Sequence, residues 1–337
     1  MRIAEVNDIA SVASELAKGL RARGHEVTLI EPRLFGARLH WALKPVVSPI
    51  RAVEWTRLVR RLRAEQYDVI HIHYAYLGMV GVLGKFPYIL HCHGGDIRDI
   101  TPFTRSITNR ALKNAGRVFF ATPDLGPGVR KTRPDAEFLP NPIDTHVFSP
   151  QAPSAERPGV YIACALDDVK GAPEILAACR LLATERPDIR ITAHAGGKYT
   201  DEAAALPNVT VVPHQPRADL PAVISAHGVV IGQVLLGAAG MAEFEAMSCA
   251  RPVIGHFEHG SAYPEEPPLV AARTGEEIAR AVIRLVDDPK LREQIGEQSR
   301  EWIRRNHDLD AVTGRVEQAA FDVLHQQLQA PHCAAES

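Results

Sequence analysis

The chain has 337 residues and a formal net charge of −2, and its 46% hydrophobic and 23% charged residues are those of an ordinary globular protein rather than a low-complexity chain. No apolar run approaches the roughly 20 residues that cross a membrane, and the start of the chain reads as a strand rather than a signal peptide. The five cysteines are odd in number and scattered, which favours reduced thiols and a cytoplasmic location.

The net charge conceals an asymmetry between the two parts of the chain. Residues 1–150 carry 21 Lys and Arg against 14 Asp and Glu, whereas the remainder carries 17 against 26. A basic first part favours an anionic acceptor or a weak peripheral contact with a membrane surface. The alternative interpretation, which we favour, is that these charges are scattered over the surface and solvated. We expect no nucleic-acid partner.

Strands and helices alternate along the chain, which predicts an α/β fold with parallel sheets. The length fits two domains, which we place at 1–150 and 151–307, before a helix over 308–328 and a disordered tail over 330–337. Strands are predicted over 2–6, 26–30, 67–74, 87–93, 117–121, 160–164, 189–194, 209–212, 228–233 and 253–254. Helices are predicted over 11–23, 51–65, 103–115, 124–131, 172–185, 199–205, 217–226, 241–249, 274–287 and 290–305.

Two successive buried strands each end in a pair of histidines, first His71 and His73, then His91 and His93. Residues two apart share one face of a strand, and ligands of open parallel sheets bind beyond the carboxyl ends of the strands. Three interpretations compete for these rings: satisfied core residues, the default for His71 and His91; ligands of a metal such as Zn²⁺; or a contact with a reacting substrate.

The loop after the second histidine pair has the sequence Gly94-Gly95-Asp96. Its glycines permit the close approach of a substrate, and the carboxylate of Asp96 can orient a hydroxyl or a neighbouring histidine.

A glycine-rich turn with Gly237 and Gly240 precedes a short helix that starts at Met241. The free N–H groups and the dipole of such a helix N-terminus attract anions, phosphate above all. The helix also carries Glu243 and Glu245, and a buried carboxylate needs hydrogen bonds that a sugar diol would supply. The alternative is a core helix whose glutamates reach solvent.

The run Glu-Ala-Met-Ser-Cys-Ala-Arg-Pro-Val-Ile over 245–254 resembles the nucleotide-sugar loop and helix of retaining family-4 glycosyltransferases. The resemblance implies the GT-B fold, in which two Rossmann-like parallel-sheet domains face a central cleft and the last helix returns to the first domain. It also implies that Glu245 binds the ribose hydroxyls of the donor and that Gly240 lies in the donor turn. Gly237 stands where the family has a first glutamate, which touches the donor sugar.

Other segments carry the same resemblance. Lys170-Gly171 matches the family's Lys-Gly, which implies that Lys170 neutralises the donor pyrophosphate, whereas Ala165 stands where the family has an arginine. Leu-His-Cys-His-Gly-Gly-Asp over 90–96 resembles the loop whose histidine lies beside the transferred sugar, which implies this role for His93.

The resemblance therefore predicts a retaining, metal-independent glycosyltransferase without a cofactor. The nucleotide-diphosphate-sugar donor would lie on the second domain, and a small-molecule, glycan or lipid acceptor on the first. The departures at Gly237 and Ala165 motivate an alternative, a non-catalytic helper protein of the same fold that binds a sugar or a partner. Two weaker alternatives are a sugar-nucleotide epimerase and a metal-dependent hydrolase built on the histidine pairs.

Overall fold

The computed structural model describes residues 1–32, 48–98, 100–151 and 159–329, so that the predicted tail over 330–337 lies outside the described residues. The chain divides into two compact units, one of Met1–Pro142 with the chain from Leu309 onward, the other of Ile143–Asp308. The sequence patterns place this boundary at residue 150.

The first unit is built on a six-stranded sheet. Its strands are β1 (Arg2–Val6), β2 (Glu26–Ile30), β3 (Val69–His73), β4 (Tyr88–Cys92), β5 (Arg117–Phe120) and β6 (Glu137–Phe138). They pair in parallel in the order β2-β1-β3-β4-β5-β6. Every residue of β3 and β4 is buried, as is usual for central strands of a parallel sheet that helices cover on both faces.

Helical crossovers connect these strands, as parallel pairing requires. They are α1 (Val12–Ala22), α2 (Ser48–Glu65), α3 (Met79–Gly84), α4 (Gly95–Arg98), α5 (Pro102–Asn114) and α6 (Gly126–Arg130). Helix α5 begins with a capping box, in which the side chains and backbone N–H groups of Thr101 and Thr104 satisfy one another. Pro102 occupies the first helical position, where the missing N–H costs nothing.

The second unit repeats this plan. Its strands are β7 (Gly159–Ile162), β8 (Ile191–His194), β9 (Val209–Val212), β10 (His227–Ile231), β11 (Val253–Gly255) and β12 (Val270–Ala271), in the parallel order β12-β11-β10-β7-β8-β9. Its helices are α7 (Ala172–Glu185), α8 (Thr200–Ala204), α9 (Leu220–Ser225), α10 (Met241–Ser248), α11 (Gly275–Asp287) and α12 (Pro289–Asn306). The two parallel sheets confirm the predicted α/β class.

The last helix, α13 (Leu309–Gln329), packs on α1 within the first unit. Gly19 of α1 lies so close to Thr313 that a Cβ atom at residue 19 would overlap the Thr313 side chain. The Glu317 carboxylate of α13 binds Arg23 at 2.9 Å and His25 at 2.7 Å. A small residue in α1 and these polar contacts thus hold the C-terminal helix in place.

Each sheet has one point where the chain order reverses, and this point locates the candidate sites. In the first sheet it lies between β1 and β3, and in the second between β7 and β10. Loops diverge to opposite sides of the sheet there and leave a crevice beyond the carboxyl ends of the strands, where ligands of α/β proteins bind. His71 and His73 lie on β3 and the glycine turn follows β10, and each of these strands borders such a point. Within the described residues, no helix is both long and apolar enough to cross a bilayer.

Candidate functional site

In the second unit, Glu243 shapes the turn that precedes α10. This carboxylate is 5% exposed and accepts N–H groups of the turn, from Gln233 at 2.9 Å and from Gly240 at 3.0 Å. The second bond joins the third helical residue to the N-cap N–H and is one half of a capping box, since Gly240 has no side chain to make the other half. Glu243 is therefore satisfied by the backbone, and the structure gives it a role in holding the turn rather than the expected role of binding a sugar diol.

Gly237 adopts a left-handed backbone with φ +71°, a conformation that glycine reaches without steric cost. A Cβ atom at this residue would lie 3.1 Å from Oε2 of Glu258, and the Glu258 N–H donates to the Gly237 carbonyl at 3.0 Å. A carboxylate from a later loop therefore lies beside the position where the family has a glutamate. Glu258 also pairs with His256 at 2.6 Å, which lowers the pKa of this carboxyl group.

Lys170 follows β7 and contacts the same turn through Gln233. Its Nζ donates to Gln233 Oε1 at 2.7 Å, and the Gln233 amide nitrogen donates to the Ala238 carbonyl. Gly171, with φ +83°, ends the 3-10 turn that carries Lys170 and packs closely on Val234. Gln233 thus ties the predicted diphosphate lysine to the glycine turn, a role that sequence patterns did not indicate.

Glu245 is 3% exposed, so its carboxylate does not point into bulk water. It accepts a hydrogen bond from Nη1 of Arg217, which lies in the turn before α9. The guanidinium group of Arg217 stacks over the ring of Phe148, 4.9 Å from its centroid. Arg217 and Phe148 come from distant parts of the unit, and therefore no local motif could have identified this support of Glu245.

The first helical residue Met241 is 9% exposed and continues directly from the turn. Ala165, which stands where the family has an arginine, is exposed at the end of β7. Beside it, burial raises the pKa of the Cys164 thiol to about 12, so this thiol is neutral near pH 7. Lys170, Gly237, Gly240, Met241 and Glu245 accordingly come together around the glycine turn, with no cation at residue 165.

In the first unit, the carboxylate of Glu5 on β1 joins two histidines of the neighbouring strand β3. His71 Nδ1 lies 3.2 and 3.0 Å from its two oxygens, and His73 Nε2 lies 2.7 Å from Oε2. All three side chains are fully buried. Burial by itself would raise the pKa of Glu5, but its interactions with His71 and His73 prevail and lower it to about 2. Glu5 is therefore an ionised acceptor for both rings.

His93 extends this chain of hydrogen bonds toward the loop after β4. Its Nε2 lies 2.8 Å from His73 Nδ1. Burial lowers the pKa of both rings, so both are neutral near pH 7. A neutral His73 that donates to Glu5 through Nε2 offers Nδ1 as an acceptor, which fixes the His93 proton on Nε2. Nδ1 of His93 is then left as a hydrogen-bond acceptor.

His91 does not fit the default interpretation of a satisfied core residue. Its side chain is fully buried, and neither ring nitrogen has a hydrogen-bond partner among the described residues. The same holds for Nε2 of His71, whereas its Nδ1 binds Glu5. The expectation was wrong for His91 because a ring enclosed by other imidazoles and Phe119 finds no carbonyl or carboxylate within reach.

The Asp96 carboxylate organises the backbone of its own loop. It accepts N–H groups of Gly94 at 2.7 Å, Ala75 at 2.8 Å and His93 at 3.1 Å. It is 5% exposed, and burial raises its pKa although these bonds oppose that shift. Asp96 thus holds the main chain of His93 and Gly94, whose φ is +147°. Among the described residues, its carboxylate accepts hydrogen bonds from backbone N–H groups and from no histidine ring. Gly95 begins α4 and is exposed.

We predict that His91 makes the fold sensitive to acid. Burial lowers the pKa of His91 well below its ordinary value, so the folded ring stays neutral while the unfolded ring gains a proton below about pH 6.5. The unfolded state then binds more protons, and stability falls as the pH falls. Relative to wild type, His91→Phe should gain about 1.4 kcal/mol of unfolding free energy per pH unit below that pH.

Urea unfolding of both proteins in chelator-containing buffer, from about pH 7.5 to 5.5, measures this difference. Because the other titratable groups are common to both proteins, the separation of the two curves isolates His91. A separation that stays constant across this range would contradict a buried neutral imidazole.

Two family models match the chain, Glycosyltransferase Family 4 over residues 9–147 and Glycosyl transferase-like over residues 175–318. The first covers the histidine pairs and the Gly94-Gly95 loop, and the second covers the glycine turn and α10. No curated protein matches the chain.

Solved structures show the same architecture. Sucrose-phosphate synthase from Thermosynechococcus elongatus has a TM-score of 0.75 at 18% identity, with 98% of this chain and 99% of that chain covered. Anabaena HepE in complex with UDP has a TM-score of 0.70 at 12% identity, with 94% of this chain and 99% of that chain covered. The catalytic domain of starch synthase IV from Arabidopsis thaliana, bound to ADP and acarbose, has a TM-score of 0.65 at 11% identity, with 96% of this chain and 99% of that chain covered. At these identities the likeness concerns the fold, and it confirms the two Rossmann-like sheets.

Proposed function

Since the chain is a family-4-like glycosyltransferase of the GT-B fold, we propose that it moves a sugar from a nucleotide-diphosphate-sugar donor to an acceptor hydroxyl, with retention at the anomeric carbon. The reaction would use no cofactor and no metal ion at the diphosphate. The observation that carries the proposal is the convergence of Lys170, the glycine turn and Glu245 at the chain reversal between β7 and β10.

In this proposal the diphosphate binds between Lys170 and the N-terminus of α10. The first N–H groups of a helix have no partner within the helix, and its dipole favours an anion there. Gln233 holds the Lys170 ammonium group beside the turn. When the bond between the anomeric carbon and the phosphate oxygen breaks, these groups stabilise the charge that develops on the leaving diphosphate.

Glu245 would accept the two ribose hydroxyls, with Arg217 fixing the orientation of its carboxylate. Glu258 would supply the carboxylate for the donor sugar, since it lies beside Gly237 at the position of the missing glutamate. The departure at Gly237 is then compensated by a residue from another loop. The departure at Ala165 has no such compensation in the described contacts of Lys170 and the turn.

The first unit would bind the acceptor through the loop of His93, Gly94 and Gly95. Nδ1 of His93 is available to form a hydrogen bond with a hydroxyl of the sugar or of the acceptor. Retention means that the acceptor oxygen bonds to the anomeric carbon on the face that the diphosphate leaves. The departing phosphate oxygen is then placed to take the acceptor proton, which balances the transfer without a separate base.

Two similar structures support a nucleotide diphosphate as part of the donor, because HepE contains UDP and starch synthase IV contains ADP with acarbose. Incubation of the purified chain with UDP-, GDP- and ADP-sugars, with nucleoside diphosphate release followed by ³¹P NMR, tests the activity. Release that requires an acceptor sugar supports transfer. If no nucleoside diphosphate is released with any donor and any acceptor tried, the non-catalytic helper is favoured. The departures from the family pattern at Gly237 and Ala165 are the observations that support this alternative. The cytoplasmic location and the weak membrane contact stay predictions.

We expect Glu245→Gln to weaken the binding of the nucleotide roughly 10- to 100-fold, because hydrogen bonds to a charged acceptor are worth about 1.5–3 kcal/mol. The amide keeps the shape of the side chain but loses the charge that also holds Arg217. Isothermal titration calorimetry with the nucleoside diphosphate that wild type binds best measures the change.

Glu276→Gln is the matched control, since this glutamate of α11 lies in the same unit with its side chain 81% exposed. It should bind the nucleotide like wild type. Equal affinities of Glu245→Gln and wild type would remove Glu245 from the donor site.

A further inference from the structure

Four imidazole rings and one carboxylate are packed together inside the first unit, where β1, β3 and β4 lie side by side. The ring centroids of neighbouring histidines are 4.2–5.5 Å apart. One potential ligand atom from each of His71, His73 and His91 lies within 4.8 Å of the others, and these three side chains are fully buried. Among the residues that the structure describes, no other group of His, Cys, Asp or Glu meets this criterion.

The buried nitrogens of this cluster need partners that the described residues do not supply. Neither nitrogen of His91 and only one nitrogen of His71 has a hydrogen-bond partner. A polar atom enclosed without a partner loses its hydration and gains nothing in return. Native proteins satisfy such atoms with ordered water or with an ion.

Glu5 prepares two of the rings for a metal ion. Its carboxylate accepts hydrogen bonds from the Nδ1–H group of His71 and the Nε2–H group of His73, at N···O distances of 3.0 and 2.7 Å. The acceptor nitrogens that remain are Nε2 of His71 and Nδ1 of His73. In metal sites, histidine ligands commonly donate their second N–H to a carboxylate, which fixes the tautomer and raises the basicity of the ligating nitrogen.

We propose that His71, His73 and His91 bind one Zn²⁺ ion, with Glu5 orienting the first two rings. His93 is the fourth ligand through Nε2, and its proton moves from Nε2 to Nδ1 when the ion binds. Imidazole nitrogens suit Zn²⁺, whereas Ca²⁺ and Mg²⁺ require oxygen ligands. Four Zn–N bonds of about 2.0–2.1 Å place the nitrogens roughly 3.4 Å apart. Binding therefore shortens the largest distance between the ligand nitrogens, which is at most 4.8 Å among His71, His73 and His91. It also lengthens the 2.8 Å distance between His73 Nδ1 and His93 Nε2.

All ligands of this site come from the first unit and no position stays open for a substrate. The ion therefore stabilises the sheet at its chain reversal, and none of its ligands is a diphosphate-binding group of the proposed donor site. The inference does not depend on sugar transfer, because metal content, metal affinity and thermal stability report it without any turnover.

The test uses the full chain after removal of metals with a chelator. Zn²⁺ is titrated in competition with a chromophoric chelator, and Co²⁺ serves as a spectroscopic probe of tetrahedral coordination. Wild type should bind one equivalent and melt at a higher temperature with Zn²⁺ present. His91→Phe should bind Zn²⁺ at least about 100-fold more weakly than wild type, because it removes a residue that contacts the metal directly. Loss of a residue that only hydrogen-bonds to a metal ligand already lowers metal affinity about 10- to 100-fold. His214→Phe, which alters an exposed ring of the second unit, should bind like wild type.

X-ray absorption at the zinc edge of the wild-type complex gives a second measure that needs no variant, and it should show four imidazole ligands. The proposal is overturned if wild type takes up no stoichiometric Zn²⁺, in which case ordered water fills the cluster. It is also overturned if His91→Phe binds as tightly as wild type, or if the absorption spectrum shows mainly oxygen ligands.

Discussion

Replacing Lys170 with alanine should lower the turnover of sugar transfer by roughly 10²- to 10³-fold, the effect of losing one group aimed at charge that develops in a transition state. Lys170 is half-buried and its ammonium group is held by Gln233 at 2.7 Å, so in the proposed reaction it would bind the diphosphate without the cost of ordering a free side chain. Ala165 provides no second cation at the end of β7. The reaction should therefore depend on Lys170 more strongly than it would in an enzyme that has both the arginine and the lysine. The measurement is kcat with the donor on which wild type is most active.

Lys198→Ala is the matched control. Lys198 lies in the same unit, its side chain is 63% exposed, and its Nζ pairs with Asp168 at 2.9 Å. Surface pairs of this kind contribute little, so kcat should change less than about twofold. A Lys170→Ala enzyme that retains wild-type kcat would exclude Lys170 from the stabilisation of the leaving group.

Replacing Glu5 with alanine should lower the unfolding free energy of the protein by about 3–5 kcal/mol, the cost of removing one partner from a buried charged network. The variant leaves the N–H groups of His71 and His73 without an acceptor and opens a cavity at the centre of the first sheet. Chelator-treated wild type and variant are compared by urea unfolding, so that the result concerns the network alone.

Glu26→Ala provides the comparison on the neighbouring strand β2. The Glu26 side chain is 65% exposed and pairs with Arg2 at the surface, so its loss should cost no more than about 1 kcal/mol. Similar losses for the two variants would mean that the Glu5 carboxylate contributes no more than an exposed charge.

Much of the fold could be predicted because its elements follow local patterns. The sequence places β2, β9 and α7 within the bounds that the structure has, Glu26–Ile30, Val209–Val212 and Ala172–Glu185. The elements that were missed are short: two-residue strands such as Val270–Ala271 and the helices Met79–Gly84 and Gly95–Arg98. Fewer than two turns of helix or two residues of strand give no measurable periodicity.

The candidate site likewise has residues that the local sequence identifies and residues that it does not. The glycine turn and Glu245 lie in one continuous stretch and could be identified from it. Gln233, Arg217 and Glu258 reach the site through tertiary contacts with Lys170, Glu245 and Gly237, and their own surroundings in the sequence carry no motif.

The histidine pairs illustrate a different limit. Period 2 places each pair on one face of its strand, but it does not show whether a buried ring finds a partner. That depends on the neighbouring strand, where β1 brings Glu5 to His71 and His73 but brings nothing to His91.

The central claim is that the turn before Met241, Glu245 and Lys170 bind the nucleotide diphosphate of the donor. Hydrogen–deuterium exchange of the full chain, with and without saturating UDP, GDP or ADP, tests it most directly. With at least one of them we predict slower exchange in peptides that cover Gly232–Glu245 and Asp168–Lys170, and unchanged exchange in α11. Unchanged exchange at the turn with all three nucleotides at millimolar concentration, or protection that maps elsewhere, would contradict the claim.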